Sequence, residues 1–118
     1  MKIKEIMELL NAKVLCGAEH LEGEVLSACG CDMMSDVLAF VKEQAVLITG
    51  LCNPQVVRTA EMMDMRCIVF VRGKQPPSEV VTLAEEAGIV VLASCERMYD
   101  ACGKLYVAGL SGGSVVHA

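Results

Sequence analysis

Three short apolar runs, separated by stretches with helical spacing, dominate the second half of the chain. The runs cover residues 45–48, 67–71 and 89–92. They do not alternate with polar residues, which is typical of strands buried on both faces of a parallel sheet. Between and after them, apolar positions recur at helical spacing over residues 54–64, 79–87 and 95–107. The pattern therefore predicts strand–helix–strand–helix–strand–helix with right-handed crossovers.

The first half of the chain adds two helices and two short strands. Residues 2–10 show the spacing of a helix with one buried face. Short strands are predicted over residues 14–16 and 24–31, and Ser35 is predicted to cap a helix over residues 36–43. The expected fold class is therefore α/β, with three layers and a mostly parallel sheet of about five strands that carries helices on both faces.

Length and composition favour a single domain with an aliphatic core. A chain of 118 residues buries about two-thirds of its unfolded surface. Its residues are 54% hydrophobic but only 3% aromatic. We expect the domain to cover residues 1–108. The Gly/Ser-rich residues 109–118 are predicted to form a loosely ordered tail, in which Val115 and Val116 are available to dock.

The charge pattern argues against nucleic-acid and membrane partners. The formal net charge is −5, the basic residues are scattered, and the few aromatic residues cannot form a base-stacking platform. The longest uncharged stretches fall short of the roughly 18 residues that a membrane-spanning helix needs. Glu5 and Glu8 interrupt the apolar centre that a signal peptide would require. The expected location is therefore the cytoplasm.

The best candidate for a binding site is the edge at which the three predicted parallel strands end, because ligands of open α/β sheets bind there. Asn53 is a good helix N-cap and Pro54 suits the first helical position, which leaves backbone N–H groups for an anion. The candidate residues of this strand-end edge offer hydroxyls, backbone amides or positive charge: Thr49, Gly50, Asn53, Arg72, Gly73, Lys74 and Ser94. A phosphate or carboxylate is the expected ligand. In the alternative, Asn53 and Ser94 only cap helices, and the two cations are solvated loop charges.

No catalytic constellation is visible, so we predict that the protein is not an enzyme and carries no cofactor. The turn after residue 49 matches neither the dinucleotide-binding fingerprint nor the P-loop. Cys52, just before a predicted helix, is the thiol expected to have a lowered pKa, and a thiol enzyme built on it ranks last among the hypotheses. Asp32 and Asp36 flank a predicted helix start, where capping and the helix dipole account for them.

Seven cysteines raise the question of a metal or redox site. An odd number argues against a closed disulfide framework. Reduced thiols in a reducing compartment are one interpretation. The alternative is a metal, iron–sulfur or redox accessory protein that uses Cys29 and Cys31 with the distant Cys52 or Cys95. These are only weak metal candidates, because the second cysteine pair of a structural zinc site is missing.

Two pairs of adjacent methionines leave two alternatives open, a subunit interface and ordinary core packing. At helical spacing one member of each pair must point away from the core. Core packing accounts for Met63, whereas Met34 and Met62 are expected in an exposed apolar patch.

With these residues in place, the chain resembles the DRTGG domain family over residues 2 to about 107, and is similar to the N-terminal domain of HPr kinase/phosphorylase. The family occurs beside CBS domains in regulated pyrophosphatases and in the N-terminal part of some phosphotransacetylases. The resemblance rests on the order and spacing of residues 14–17, 33–35, 48–50, 69–73, 77–80, 87–89 and 98–99.

The chain departs from the family in the string that names it. The first turn reads Gly50-Leu51-Cys52-Asn53, and Arg72-Gly73-Lys74 stands where a Gly-Gly pair is expected. The resemblance implies a non-catalytic regulatory or assembly module that contributes to dimer contacts, here in a stand-alone form. The leading hypothesis is therefore a homodimer that regulates or scaffolds a metabolic or redox enzyme and senses a small anionic metabolite or nucleotide.

Overall fold

The computed structural model of the protein describes residues 1–40 and 44–113. In chain order these residues form α1 (Ile3–Leu9), β1 (Lys13–Cys16), β2 (Ser27–Gly30), α2 (Met34–Phe40), β3 (Ala45–Thr49), α3 (Pro54–Met62), β4 (Cys67–Phe70), α4 (Ser78–Glu86), β5 (Val90–Ala93) and α5 (Met98–Val107). A short 3-10 helix, Ala18–His20, lies between β1 and β2. None of the helices in these two ranges has the length and apolar character needed to cross a membrane.

The five strands form one sheet in the order β1-β5-β4-β3-β2. Neighbouring strands from β2 to β5 run parallel, and only the pairing of β1 with β5 is antiparallel. The predicted α/β class with a mostly parallel five-stranded sheet is confirmed. The non-alternating apolar runs become strands that are buried along their whole length, as in β3 and β4.

Helices cover both faces of the sheet. On the three-helix face, α2, α3 and α4 pack on strand residues that include Leu47, Ile68, Phe70 and Val91. On the two-helix face, α1 and α5 pack on strand residues that include Val46, Ile48, Val69 and Leu92. Side chains that alternate along each strand therefore enter two separate aliphatic cores.

Three predicted element boundaries are wrong: the starts of β2, α2 and the last helix. β2 begins at Ser27 rather than at residue 24, since the Val25 N–H donates to the Met1 carbonyl instead. α2 begins at Met34, so Ser35 lies inside its first turn and is not its cap. The last helix begins at Met98 with Arg97 as N-cap, so the prediction that Ser94 caps it is wrong. Residues 41–43, the end of the predicted second helix, lie outside the described residues.

The exposure of the methionines corrects half of the predicted patch. Met62 is 73% exposed, as predicted, but Met34 is buried and Met33 is exposed in its place. The reason is the earlier start of α2, which rotates Met34 into the three-helix core.

Thr59 on α3 and Leu110 in the predicted tail are both buried. Thr59 is 1% exposed, and its Oγ1 has no hydrogen-bond partner among the described residues. Leu110 is buried against the two-helix core, and the Ser111 carbonyl accepts from the Ala28 N–H at 2.9 Å. Residues 114–118, which include Val115 and Val116, lie outside the described residues.

Candidate functional site

The ends of β3, β4 and β5 lie side by side, as the strand-end hypothesis requires. The Val71 N–H donates to the Thr49 carbonyl at 3.0 Å. The Ser94 N–H donates to the Phe70 carbonyl at 2.9 Å, and the Gly73 N–H donates to the Ser94 carbonyl at 3.0 Å. Backbone hydrogen bonds thus extend the parallel ladder by a residue or two beyond the strands. The backbones at the ends of these strands therefore lie along one edge of the sheet, which we call the rim.

An internal carboxylate occupies the centre of this rim. Asp32 Oδ1 accepts hydrogen bonds from the Thr49 hydroxyl at 2.9 Å and from the Gly50 N–H at 2.8 Å. The end of β2 delivers Asp32 to this position, because the Cys31 N–H donates to the Ile48 carbonyl at 3.0 Å and so continues the ladder. The interpretation of Asp32 as a residue explained by helix capping is therefore wrong. Sequence reasoning missed its role, although Asp32 directly follows a predicted strand, as the other rim residues do.

Arg72 closes the opposite side of the same carboxylate. Its Nη2 lies 3.9 Å from Asp32 Oδ2, and its guanidinium lies so close to Gly50 that a side chain there would collide with it. The Gly50 N–H bond, the Thr49 hydroxyl and the charges of Arg72 and Lys74 together hold the pKa of Asp32 below its usual value, against the effect of partial burial. Asp32 is therefore anionic at neutral pH.

The backbone at Arg72 and Gly73 adopts an uncommon conformation. Both residues have positive φ, 62° and 67°. A side chain in this left-handed region costs energy, which the fold offsets here with a hydrogen bond from the Arg72 N–H to the Glu96 carbonyl at 2.7 Å. This turn therefore sets the position from which the side chains of Arg72 and Lys74 extend.

Asn53 and Ser94 have different roles from each other. Asn53 Oδ1 accepts from the Val56 N–H at 3.3 Å, and Pro54 follows at the first helical position, so the predicted cap of α3 is confirmed. Ser94 is buried; its hydroxyl donates to the Leu10 carbonyl at 2.8 Å and accepts from the Glu96 N–H at 3.1 Å. The Ser94 hydroxyl thus ties the end of α1 to the end of β5.

The structure brings only some of the seven predicted residues of the strand-end edge to Asp32. The Asn53 side chain instead caps α3, and the Ser94 hydroxyl bonds to the Leu10 carbonyl. Thr49, Gly50 and Arg72 converge on Asp32, and Lys74 adds positive charge to the same carboxylate. The rim therefore presents one hydroxyl, one backbone amide and two cations to one anionic group.

Cys52 does not have the environment of a reactive thiol. Burial raises its pKa, although the charges of Lys74 and Arg72 act in the opposite direction. The expectation of a lowered pKa is therefore wrong: the loss of solvent outweighs the neighbouring cations.

Cys29 is partly buried, and Cys31 forms hydrogen bonds within its own loop. Burial raises the pKa of Cys29 to about 11, and Cys31 Sγ both accepts from the Met33 N–H and donates to the Met33 carbonyl at 3.3 Å. Within residues 1–40 and 44–113, no three histidine, cysteine or acidic side chains are grouped as a metal ion would need.

Together these features define a three-layer α/β domain with a polar strand-end edge. The DRTGG domain model matches residues 5–106, and the chain belongs to the DRTGG domain family. No protein of curated function matches the sequence.

A solved structure has the same fold. It is the crystal structure of the CBS and DRTGG domains of the regulatory region of Clostridium perfringens pyrophosphatase, complexed with the activator diadenosine tetraphosphate. The TM-score is 0.70 at 18% sequence identity, and the match covers 93% of this chain and 47% of that one. The chain therefore spans about half the length of that structure, and the likeness establishes the fold.

Proposed function

We propose that the protein is a non-catalytic regulatory module, homodimeric and cytoplasmic, that senses a small anionic metabolite or nucleotide at the strand-end edge and acts on a metabolic or redox enzyme. The observation that carries the proposal is the Asp32 carboxylate, which sits on the Gly50 N–H and the Thr49 hydroxyl beside Arg72. A backbone amide, a hydroxyl and a guanidinium are also the donors that hold a phosphate group.

In this proposal the ligand competes with Asp32 for the same donors. The Asp32 side chain is 49% exposed and lies on a chain segment between β2 and α2, so an incoming anion can reach the donors from solvent. A phosphate group of charge about −2 gains more from Arg72 and Lys74 than a carboxylate of charge −1 does. Ligand binding then frees Asp32, and the segment before α2 is the part of the chain that responds.

The family supports the regulatory class and the choice of probe. The similar structure joins DRTGG and CBS domains in a regulatory region and holds diadenosine tetraphosphate as activator. A nucleotide polyphosphate is therefore the first ligand class to test on this chain, with inorganic pyrophosphate as the probe of the phosphate contribution alone.

The test is calorimetric titration of the protein with pyrophosphate and with diadenosine tetraphosphate at low salt. We expect the wild type to bind and Arg72→Ala to bind about tenfold more weakly or worse, because a hydrogen bond to a charged group contributes about 1.5–3 kcal/mol. Asp32→Asn should bind more tightly than the wild type, since it keeps an acceptor oxygen and removes the competing charge.

Arg58→Ala is the matched control, because Arg58 is an exposed arginine on α3 and its loss changes the net charge equally. Equal weakening by Arg58→Ala and Arg72→Ala would mean that only bulk charge matters. If neither probe binds the wild type or Asp32→Asn, the sensing proposal is wrong.

A further inference from the structure

The outer side of α5 carries an apolar surface that the described chain leaves uncovered. Tyr99, Tyr106 and Val107 are 87%, 70% and 88% exposed. Gly103 lies between them on the same side of the helix, and Leu9 at the end of α1 borders them. We refer to Leu9, Tyr99, Gly103, Tyr106 and Val107 as the α5 stripe.

The stripe differs from the apolar side chains scattered over the rest of the surface. The other large exposed apolar residues are Leu26 before β2, Met33 and Leu38 before and on α2, and Met62 on α3. Both tyrosines of the chain stand on the stripe. Tyrosine is enriched at protein interfaces, and a contiguous apolar patch marks an interaction site more than single exposed residues do.

We propose that a second copy of this chain covers the α5 stripe, with the two α5 helices packed antiparallel about a two-fold axis near Gly103. The inference rests on the proposed function, because it locates the contact of the proposed homodimer.

The charges along the stripe favour a second copy as the occupant. Asp100 and Lys104 border the stripe one helical turn apart, and both are exposed. Lys104 also pairs with Glu96 of its own chain, so an Asp100 from a second copy would be the second carboxylate beside it. An antiparallel copy reverses their order, so Asp100 of each copy comes within one helical turn of Lys104 of the other. The patch is thus self-complementary in charge, although the chain has a net charge of −5.

Gly103 makes the centre of the stripe accessible to a second helix. A side chain built at this position would meet nothing within 4 Å, so the glycine is not required by packing inside the domain. Without a side chain there, the two helix axes can approach at the short end of the usual range of about 8–10 Å. Tyr99 and Val107 lie four residues either side of Gly103, so antiparallel packing sets Tyr99 of one copy against Val107 of the other.

The experiment measures the oligomeric state of the full chain by analytical ultracentrifugation. We expect the wild type to sediment as a dimer at micromolar concentration. Asp100→Lys and Lys104→Asp should each weaken the dimer at least about tenfold, because like charges then face one another across the axis. An equimolar mixture of these two variants should restore a dimer, since each copy then offers the charge that the other lacks.

Two further variants separate the interface from folding and from apolar exposure in general. Gly103→Glu improves helix propensity, so it should lose the dimer without lowering the melting temperature. Met62→Lys, which changes an exposed apolar residue on the other side of the sheet, should leave the dimer intact.

A dimer that both Asp100→Lys and Lys104→Asp leave unchanged would place the contact elsewhere and overturn the assignment to α5 alone. A mixture of the two variants that stays monomeric would overturn the antiparallel arrangement. A wild type that remains monomeric would overturn self-association and leave the stripe to a different protein. None of these results changes the calorimetric test of ligand sensing, so the assignment of the dimer contact and the sensing role fail separately.

Discussion

Both faces of the sheet are buried, yet the helices that cover them expose different kinds of side chain to solvent. Phe70 on the three-helix face and Leu92 on the two-helix face are both fully buried. On the three-helix face, α3 and α4 turn mostly charged and polar residues outward, such as Arg58, Glu61 and Glu85, and Met62 is a single exposed apolar residue among them. On the two-helix face, α5 turns the apolar α5 stripe outward.

The comparison shows that a fully buried sheet does not determine whether the outer sides of its helices are polar or apolar. Two helices suffice to exclude water from the strands, because each strand side chain needs only one apolar neighbour layer. The outward side of a helix is free to carry a second apolar surface when another molecule is to cover it. The difference between the faces therefore lies in the outer surfaces of their helices and not in the two cores.

The largest expected effect comes from emptying each core in turn. Phe70→Ala should lower the free energy of unfolding by about 3–5 kcal/mol and Leu92→Ala by about 2–5 kcal/mol, because each leaves a cavity in a packed layer. Urea unfolding measures both values. Thr82→Ala, at an exposed position on α4, is the control and should stay within about 0.5 kcal/mol. A cost below about 1 kcal/mol for Leu92→Ala would show that the two-helix face is loosely packed.

A smaller effect of opposite sign is expected from Thr59. Its hydroxyl is buried on the three-helix face without a partner among the described residues. Thr59→Val keeps the shape and removes a desolvated polar group, so it should stabilise the domain by about 1 kcal/mol or more. The melting temperature should rise relative to the wild type, while Thr82→Val on the exposed side of α4 should leave it unchanged. A destabilised Thr59→Val would mean that the hydroxyl makes a hydrogen bond after all.

The smallest effect concerns the rim at which both faces end. The pKa of Asp32 is lower in the folded protein than its unfolded value of about 3.9. The carboxylate therefore contributes stability that is fully present above the unfolded pKa and is lost as the pH falls through the folded pKa. Asp32→Asn should be less stable than the wild type at pH 7, and the gap in melting temperature should narrow below about pH 4. A constant gap across that range would exclude the charge as its origin. Solvent screening keeps the effect small, because half of the side chain is exposed.

The layers of the fold could be predicted because their signals are local. Non-alternating apolar runs identified β3, β4 and β5, and Asn53 with Pro54 identified the start of α3. The burial of Thr59 could not be predicted from the helix alone, since it depends on how closely α3 packs on the sheet and on its neighbouring helices.

The proximity of the strand ends was predictable, whereas the presence of Asp32 among them was not. The rule that parallel strands end at one edge brought Thr49, Gly50 and Arg72 together correctly. Asp32 reaches the rim because β2 is the neighbour of β3. The Ser94 hydroxyl bonds to the Leu10 carbonyl because β1 is the neighbour of β5. Strand order is a property of the whole chain, so no local pattern of residues contains it.

The placement of β1 beside β5 has a consequence for folding during synthesis of the chain on the ribosome. The Ser94 hydroxyl bonds to the Leu10 carbonyl, 84 residues away, and Lys13 pairs with Ala93. At about 5–20 residues per second, a ribosome takes about 4–17 seconds to make the chain between the two ends of that contact. During this time β1 has no strand to pair with, because β5 is its only neighbour in the sheet. The first strand to be synthesised therefore pairs only after the fifth is made, and the domain closes as a unit late in synthesis.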